Sequence, residues 1–120
     1  MPNPFVHIEL MTADVGKAKT FYGQLFDWEL EDMPMEDMTY TMIKVGEGTG
    51  GGLLKNPMPN APSVWVPYVE VADLAAATAK ARSLGATVHK ENVGVGDHGA
   101  FSIVSDPAGT MLGLWQRKNG

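Results

Sequence analysis

The feature that most constrains this chain is an internal repeat with an offset of 59 residues. Aligning Asp14 with Asp73 also brings together the pairs Val15 and Leu74, Ala18 and Ala77, and Leu25 and Leu84. An apolar segment at 5–10 precedes the first pattern, and one at 64–69 precedes the second. Each half is therefore expected to be one supersecondary unit that must bury its hydrophobic face against a neighbour.

Each half contains one predicted helix. Apolar residues recur at i, i+3, i+7 and i+10, the spacing of a helix that lays one face on a sheet. These positions are Val15, Ala18, Tyr22 and Leu25 in the first half and Leu74, Ala77, Ala81 and Leu84 in the second. Asp14 and Asp73 precede the helices and are predicted N-caps, and Gly85 is the predicted left-handed stop of the second helix.

Four strands are predicted in each half. Segment 28–31 alternates apolar and acidic residues, as expected for a strand with one wet face. Segment 40–45 resembles 101–106, and each is followed by a glycine-containing turn and a short apolar strand, at 51–54 and 110–115. The NPMPNAP segment has three prolines in seven residues and predicts a stiff linker. The expected fold is α+β within one domain at 1–120: a βαβββ module at 1–55, a linker at 56–62 and a second module at 63–120.

Composition excludes several classes of function. The chain has 120 residues, a single-domain length, and no cysteine, which excludes disulfides and thiolate chemistry. A net charge of −5 without a basic stripe excludes nucleic-acid binding. Six acids between Asp27 and Asp37 predict a solvated hairpin, with attraction of a cationic ligand as the alternative. No signal-like start and no membrane-length apolar run are present, so a cytoplasmic protein is expected.

Three segments together resemble the vicinal oxygen chelate superfamily: FVHIELMTADVGKAKTFYGQLFDW, the SLGA after the second helix, and FSIVSDPAGTMLGLW. That superfamily includes glyoxalase I, extradiol dioxygenases, fosfomycin-resistance enzymes, methylmalonyl-CoA epimerase and bleomycin-binding proteins. Within it the chain is similar to glyoxalase-like proteins of undefined activity. The resemblance implies paired βαβββ modules that form a curved mixed-sheet cup, a small-molecule ligand held in that cup, and a homodimer.

The resemblance also allows a test for a metal site. Metal-dependent members carry His, Gln or Glu ligands on the first and last strand of each module. His7 stands at the first such position, but the matching residue of the second module is Val66. The last-strand positions fall near Leu54 and Gly113, which offer no donor. Because a divalent cation needs about three or four converging donors, we expect no complete metal site and no cofactor, with His7 as the one retained position.

Strand alternation defines the remaining candidates. His7 and Glu9 share one face of the first strand, but side chains at i and i+2 are expected to splay apart. His7 is then either a buried imidazole satisfied by Glu9 or by a backbone carbonyl, or a polar anchor in an apolar pocket. His7 and Glu9 are the best candidates for catalysis. The predicted ligand pocket consists of His7, Glu9, Tyr40, Met42, Val66, Tyr68, Glu70, Phe101, Gly113 and Trp115.

The other expectations concern the surroundings of this pocket. The flexible thioethers of Met33, Met35, Met38 and Met42 would adapt to varied ligands. Gly113 and the run 50–52 would either open room for a bulky ligand or let backbones approach each other at a dimer contact. No Lys or Arg is expected to point into the cup, which argues against catalysis without a metal. His89 and His98 are expected to be solvated.

Three functions are consistent with these features. The first is a metal-independent protein that binds a small organic molecule. The second is a divalent-metal-dependent lyase, isomerase or dioxygenase that uses His7 with non-standard ligands. The third is a regulatory or structural dimer. The fold hosts all three, so the fold does not choose among them.

Overall fold

The computed structural model describes residues 3–34, 38–58 and 60–118; Met35 and Pro59 lie outside the described residues. The elements in chain order are β1 (Phe5–Thr12), α1 (Val15–Leu25), β2 (Glu29–Pro34), β3 (Thr39–Lys44), β4 (Gly51–Lys55), β5 (Val64–Glu70), α2 (Leu74–Ser83), β6 (Thr87–Val95), β7 (Gly99–Ser105) and β8 (Met111–Arg117). Each half is a βαβββ module, which confirms the predicted order of elements.

The chain forms two compact units. One is His7–Val66, called here the N-terminal unit. The other, called the C-terminal unit, consists of the described residues within Met1–Val6 and Pro67–Gly120. The boundaries between the units fall inside β1 and β5 and not in the proline-rich segment at 56–62.

The N-terminal unit is a mixed four-stranded sheet with one helix. Its strand order is β2-β3-β4-β1, with β1 and β4 parallel and the other pairs antiparallel. The sheet presents Leu10, Ile43 and Leu53 as the buried core, and Val15, Ala18, Tyr22, Trp28, Leu30 and Val45 pack against them. Burial of this apolar surface against α1 holds the unit together.

The C-terminal unit repeats the arrangement with the order β5-β8-β7-β6, where β5 and β8 are parallel. Its core of Leu74, Val104 and Leu114 is covered by a set of partly buried residues: Val71, Ala77, Ala81, Ala86, Val88, Ala100 and Leu112. Register confirms the internal repeat, because Glu9 lies opposite Gly52 in one unit and Tyr68 lies opposite Gly113 in the other.

The predicted helix caps are confirmed. Asp14 and Asp73 each accept a hydrogen bond at 3.0 Å, from the backbone N–H of Lys17 and of Ala76, and so satisfy a donor that the helix leaves unpaired. After α2, Gly85 adopts a φ of 102°, and its N–H donates to the Arg82 carbonyl at 3.2 Å. This is the left-handed stop expected of that glycine.

The last residue of each predicted apolar helix face, Leu25 in α1 and Leu84 after α2, does not pack against the sheet. Leu25 and Leu84 are 54% and 69% exposed. Leu25 is the last residue of α1 and Leu84 is the C-cap of α2, so the chain turns away before either side chain reaches the sheet. The buried contact with the sheet ends one turn earlier in each helix.

A polar link joins each helix to its sheet. In the C-terminal unit a β-bulge places Asn92 at a φ of 51°, and the Asn92 N–H donates to the Ser102 hydroxyl at 3.1 Å. Ser102 contacts the Thr78 hydroxyl at 2.8 Å, and Thr78 donates to the Leu74 carbonyl at 2.7 Å. Each hydroxyl has one proton, and Thr78 donates its proton to Leu74, so Ser102 must donate to Thr78. The hydrogen bonds therefore run in one direction, from Asn92 through Ser102 and Thr78 to Leu74.

The corresponding link in the N-terminal unit is ionic. Lys19 of α1 contacts both carboxylate oxygens of Asp32 on β2, each at 2.9 Å. The buried Thr41 of β3 donates to the same carboxylate at 2.8 Å. In the described part of the chain, no helix is long and apolar enough to cross a membrane.

Candidate functional site

The polar cluster of the N-terminal unit lies on the face of the sheet that α1 does not cover. Leu10 and Ile43 belong to the α1-covered core, so the alternation of side chains places their neighbours Glu9 and Met42 on the opposite face. The register agrees, because Gly52 of β4 lies opposite both Glu9 and Met42. His7 lies two residues before Glu9 and Tyr40 two residues before Met42, so both share this face.

The Tyr40 hydroxyl joins His7 to Glu9. It lies 2.8 Å from the His7 Nε2 and donates to the Glu9 Oε1 at 3.1 Å. A phenol has a single proton, so once that proton is directed to Glu9 the oxygen can only accept from His7. The His7 Nε2 therefore carries a hydrogen in this arrangement, and the neutral imidazole has its lone pair on Nδ1.

The environment keeps the phenol protonated. Burial raises the pKa of Tyr40 far above its ordinary value of 10.0, and the charge of Glu9 and its hydrogen bond raise this pKa further. Glu9 is 9% exposed. The cluster is thus a neutral hydroxyl held between an imidazole and a buried carboxylate, and it can donate and accept hydrogen bonds.

Gly52 makes this position of Tyr40 possible. A Cβ at residue 52 would overlap with the Tyr40 hydroxyl and its ring carbon, so only glycine lets the phenol lie over β4. The expectation that Gly52 opens room for a ligand is therefore wrong, since the Tyr40 side chain already fills that space. The lack of a side chain at Gly52 provides space for the Tyr40 ring of the His7–Tyr40–Glu9 cluster.

The expected separation of His7 and Glu9 is also wrong. The His7 Nε2 and the Glu9 Oε1 are 3.8 Å apart, although the two residues occupy positions i and i+2 of one strand. Both side chains form a hydrogen bond with Tyr40 on β3, which brings them together, and the sequence of β1 alone does not indicate that partner. Met42 lies half-buried on the same face.

The C-terminal unit fills its equivalent glycine position differently. A Cβ at Gly113 would overlap with the ring of Tyr68, which is 4% exposed and lies opposite Gly113 in the register. Phe101 packs edge-on against that ring at a centroid distance of 6.0 Å. Here too the glycine accommodates an aromatic ring and leaves no open space.

The remaining predicted pocket residues occupy different environments. Glu70 is 6% exposed, lies opposite Trp115 in the register and forms an ion pair with Arg117. Trp115 is half-buried, and Val66, in the N-terminal unit, is completely buried. Within the N-terminal unit the structure brings His7, Glu9 and Tyr40 into contact; within the C-terminal unit it brings Tyr68 into contact with Phe101.

Two site features were missed by sequence reasoning. Arg117 contacts the carboxylate of Glu70, whereas no Arg or Lys was expected on this face. The alternation of side chains along β8 could have predicted this contact, because it places Arg117 on the same face as Gly113 and Trp115. The last-strand position equivalent to Gly113 is Gly52 and not Leu54, which pairs with Met11 instead.

Candidate metal ligands are dispersed in the described part of the chain. In residues 3–34, 38–58 and 60–118, no three His, Cys, Asp or Glu side chains come together to hold a cation. His89 and His98 are exposed, as predicted, and the His89 Nε2 lies 2.6 Å from the Ser105 hydroxyl. Gly52 and Gly113 place no donor on the last strands.

The described part of the acidic hairpin is exposed, as predicted. Glu31 pairs with Lys44 at 2.8 Å, and Asp32 pairs with Lys19 at 2.9 Å, with both carboxylates about half-exposed. The hydrogen bond that Lys44 donates to Glu31, and then the charge of Glu31, raise the pKa of Lys44. These acids are engaged with lysines on the surface of the unit.

Comparison with known proteins decides the family. The profile of the Glyoxalase/Bleomycin resistance protein/Dioxygenase superfamily matches residues 5–114, nearly the whole chain. The chain belongs to this superfamily. The resemblance of its sequence motifs to the vicinal oxygen chelate proteins is thereby confirmed.

A curated relative supports the same assignment. The chain is 32% identical over 115 residues to the protein named "Putative glyoxylase CFP32" of Mycobacterium bovis and Mycobacterium tuberculosis. The match covers 91% of this chain but 44% of the relative. The chain thus spans less than half the length of the curated relatives that it matches.

Solved structures share the fold. A hypothetical protein, BH1468 from Bacillus halodurans, superposes with a TM-score of 0.70 at 16% identity, covering 98% of this chain and 96% of that chain. A variant of the Streptomyces coelicolor methylmalonyl-CoA epimerase, in complex with 2-nitronate-propionyl-CoA, gives a TM-score of 0.69 at 18% identity, with coverage of 94% and 96%. At these identities the likeness establishes the fold alone.

Proposed function

We propose that this protein binds a small organic molecule on the face of the N-terminal sheet opposite α1, with the His7–Tyr40–Glu9 cluster as the polar anchor and without a multiply coordinated metal ion. The observation that carries the proposal is the Tyr40 hydroxyl, placed 2.8 Å from His7 and 3.1 Å from Glu9. A few convergent polar groups among apolar side chains are the usual composition of a small-molecule site.

The surroundings of the cluster are apolar and adaptable. Met11 and Leu54 pair in the β1–β4 register and lie on the same face as Glu9, and Met42 and Met33 follow on β3 and β2. Flexible thioethers adjust to ligands of different shape at low cost. Such a face suits a ligand with an apolar body and one hydrogen-bonding group.

The proton inventory argues against a metal ion at the His7 Nε2. An Nε2 that carries a hydrogen has no lone pair for a cation, and the raised pKa of Tyr40 keeps its oxygen a weak ligand. Metal coordination at His7 Nε2 would require the bond to Tyr40 to break. We therefore propose hydrogen bonding to the ligand as the main polar interaction of this site.

A second candidate is metal-dependent catalysis by a lyase, isomerase or dioxygenase. It is favoured by the 3.8 Å separation of the His7 Nε2 and the Glu9 Oε1, because two donors this close supply half of a typical coordination shell. The two candidates make opposite demands on Tyr40. Binding by hydrogen bonds needs its hydroxyl, and metal binding needs that hydroxyl displaced.

The first experiment measures ligand affinity by calorimetry with a panel of aromatic compounds, organic cations and acyl-CoA thioesters; the last class is included because of the epimerase complex. Tyr40→Phe keeps the ring over Gly52 and removes the hydroxyl, so a bound ligand should lose about tenfold in affinity. His89→Ala, which removes an exposed imidazole in the C-terminal unit, should leave the affinity unchanged. Equal affinities for wild type and Tyr40→Phe would refute the proposed anchor.

The second experiment separates the two candidates. Equilibrium dialysis against Zn²⁺, Ni²⁺ or Mn²⁺ is followed by elemental analysis of the wild type, His7→Ala and Tyr40→Phe. We expect metal well below one ion per chain in all three proteins. Stoichiometric metal that is lost in His7→Ala and retained in Tyr40→Phe would establish the metal-dependent alternative instead.

A further inference from the structure

The hydrogens of the His7–Tyr40–Glu9 cluster are used inside the cluster itself. The Tyr40 hydroxyl donates its single proton to the Glu9 Oε1 at 3.1 Å. A neutral imidazole also has a single N–H, and the His7 Nε2 directs that hydrogen to the Tyr40 oxygen at 2.8 Å. The Glu9 carboxylate has only lone pairs. The cluster therefore offers a ligand hydrogen-bond acceptors.

Acceptor capacity remains after these bonds have formed. A carboxylate has about four lone-pair sites, and the oxygen of a phenol accepts as well as donates. The side chains of His7 and Glu9 are 29% and 11% exposed, so the cluster is reached from the side of His7. A ligand that forms hydrogen bonds with this cluster has to bring its own N–H or O–H groups.

The charges on this face of the sheet are mostly negative. Met42 lies on the same face as Glu9, and the β2–β3 register pairs it with Glu31. Alternation places Glu29 and Lys44, which pair with each other, on this face as well. Among the described residues of β1 to β4, the face thus has three glutamates and one lysine. Its charge is negative when the imidazole is neutral.

The lysine is held by one of these glutamates. The Lys44 Nζ lies 2.8 Å from the Glu31 Oε1, with both side chains about half-exposed. That pair is neutral as a whole, so Glu9 and Glu29 determine the sign of the charge that a ligand meets. Such a face attracts a cation and repels an anion.

The remaining side chains of the face suit an apolar ligand body. Met11 pairs with Leu54 in the β1–β4 register, and Met33 lies opposite Tyr40 in the β2–β3 register. Thioether side chains adjust to flat or extended hydrocarbon groups. An apolar group attached to an N–H donor can therefore lie along the methionines while the donor meets the cluster.

The C-terminal unit has a different balance of charge on its corresponding face. Its buried carboxylate, Glu70, forms an ion pair with Arg117, whose side chain is 62% exposed. A cationic ligand at Glu70 would have to displace that guanidinium. A preference for cations is therefore expected of the N-terminal unit.

We propose that the ligand of the His7–Tyr40–Glu9 cluster is an organic cation with N–H donors, namely an ammonium or guanidinium group attached to an apolar body. This inference rests on the proposed function, because it specifies the ligand class of the same site. Anionic compounds, including acyl-CoA thioesters, should bind poorly because they bring negative charge to a negative face.

The test compares compounds that share a phenylbutyl body and differ in the head group: phenylbutylamine, phenylbutyltrimethylammonium, phenylbutanol and phenylbutyrate. Ligand-observed NMR at pH 8 measures their dissociation constants. The amine should bind at least about tenfold more tightly than the alcohol or the carboxylate, because hydrogen bonds between charged groups are about twice as strong as neutral ones. The trimethylammonium compound keeps the charge but has no N–H, so it should bind more weakly than the amine.

Matched variants locate the effect. Glu9→Gln replaces the buried carboxylate by an amide and should lower the affinity for the amine at least about tenfold. Glu31→Gln removes an exposed charge from the same face and should lower that affinity about twofold at low salt. Glu91→Gln removes an exposed glutamate that also pairs with a basic residue, Arg82, in the C-terminal unit, and should have no effect. Circular dichroism checks folding, and the exposed Glu31→Gln tests the charge even where Glu9→Gln does not fold.

Several outcomes would overturn the ligand class and leave the site in place. One is a carboxylate or alcohol that binds as tightly as the amine and is weakened by Tyr40→Phe. Another is a trimethylammonium compound that binds as tightly as the amine, because N–H donors are then not required. Equal affinities of Glu31→Gln and Glu91→Gln for the amine would show that the charge of the face does not select the ligand.

Two further outcomes separate this inference from the proposed function. Binding of the amine that is unchanged in Tyr40→Phe would overturn the anchor itself, and the ligand class with it. A series in which no compound binds overturns the ligand class, while the calorimetric panel still tests the site with other compounds.

Discussion

The two units have the same order of helix and strands, but different side chains fill the equivalent positions. Each places a glycine on the last strand of its module, at Gly52 and Gly113, and each covers that glycine with an aromatic ring. In the N-terminal unit the ring comes from Tyr40 on β3, and in the C-terminal unit it comes from Tyr68 on β5. The repeat thus preserves the position of the close approach and not the residue that makes it.

The consequence is a difference in chemistry. Because Tyr40 reaches Gly52 with its hydroxyl, that hydroxyl meets His7 and Glu9 and forms a hydrogen-bonded cluster. Phe101 is the repeat partner of Tyr40 and lacks the hydroxyl, so it packs against Tyr68 instead. A polar site is therefore built in one unit and an apolar ring contact in the other.

The helix-to-sheet links differ in the same way. At equivalent positions, the C-terminal unit uses the buried hydroxyls of Thr78 and Ser102, whereas the N-terminal unit uses Lys19 and Asp32 with Thr41. A buried hydroxyl chain is costly to interrupt, while an exposed ion pair contributes little and is screened by salt. The two units should accordingly respond unequally to equivalent substitutions.

The largest effect is expected at the glycines. Gly113→Ala would push a methyl group into the base of the buried Tyr68 ring, which has little freedom to move, and should lower the free energy of unfolding by about 3 kcal/mol. Gly52→Ala would meet the far end of Tyr40, which can swing away with loss of its hydrogen bonds, and should cost about 1 kcal/mol. Urea denaturation monitored by circular dichroism measures both.

A matched control for the glycines is Gly94→Ala, because a Cβ at residue 94 meets no atom within 4 Å. It should leave the free energy of unfolding nearly unchanged. If Gly113→Ala proved no more destabilising than Gly94→Ala, the tight packing of Tyr68 against β8 would be disproved, and the comparison between the units would lose its main support.

An intermediate effect is expected for Thr78→Val. Valine keeps the shape of threonine but removes the acceptor of the Ser102 proton and the donor to the Leu74 carbonyl, so the substitution should cost about 2 kcal/mol in denaturation experiments. Thr20→Val makes the same change at an exposed position of the other helix, α1, and should be close to neutral. Similar losses in the two variants would mean that the buried chain of hydroxyls contributes nothing of its own.

The smallest effect is expected for Lys19→Met, which removes the ionic link of the N-terminal unit. The Lys19 hydrogen bond, and then the Thr41 hydroxyl, hold the pKa of Asp32 below its ordinary value of 3.8. A carboxyl whose pKa is lowered by folding stabilises the fold above its unfolded-state pKa and loses that contribution as the pH falls through its folded-state pKa. Below about pH 4 wild type should therefore lose this increment, and Lys19→Met should lose less.

Thermal melts from pH 6 to pH 2 at two salt concentrations check this prediction, with Lys17→Met as a control for the charge change on the same helix. High salt should reduce the difference between wild type and Lys19→Met. A difference that survives high salt, or that grows on acidification, would contradict an exposed ionic link.

The elements of the fold could be predicted because periodicity and capping are local properties of the sequence. Asp14, Asp73 and Gly85 marked helix ends that the structure confirms. Leu25 and Leu84 were misplaced because periodicity continues past the residue at which the backbone turns away. The positive φ of Asn92 and its bulge depend on pairing with β7, which no local pattern encodes.

The sequence could predict which residues belong to the candidate site but not which of them are in contact. Alternation placed His7 and Glu9 on one face of β1. The short distance between them depends on Tyr40, which the β3–β4 register places over Gly52. The ion pair of Glu70 with Arg117 depends in the same way on the β5–β8 pairing. Contacts between distant strands require the register to one residue, and a single sequence does not supply it.

The division of the units inside β1 and β5 has a consequence for how the chain acquires its structure. Asn3 donates its side-chain amide to the Glu70 carbonyl, and the Glu70 N–H donates to the Pro4 carbonyl, both at 2.9 Å. Residues 3 and 4 thus find their partner only after some sixty further residues have been synthesised. Contacts between residues so distant in sequence slow folding. A fragment that ended at the proline-rich segment would also lack Glu70, the hydrogen-bonding partner of residues 3 and 4.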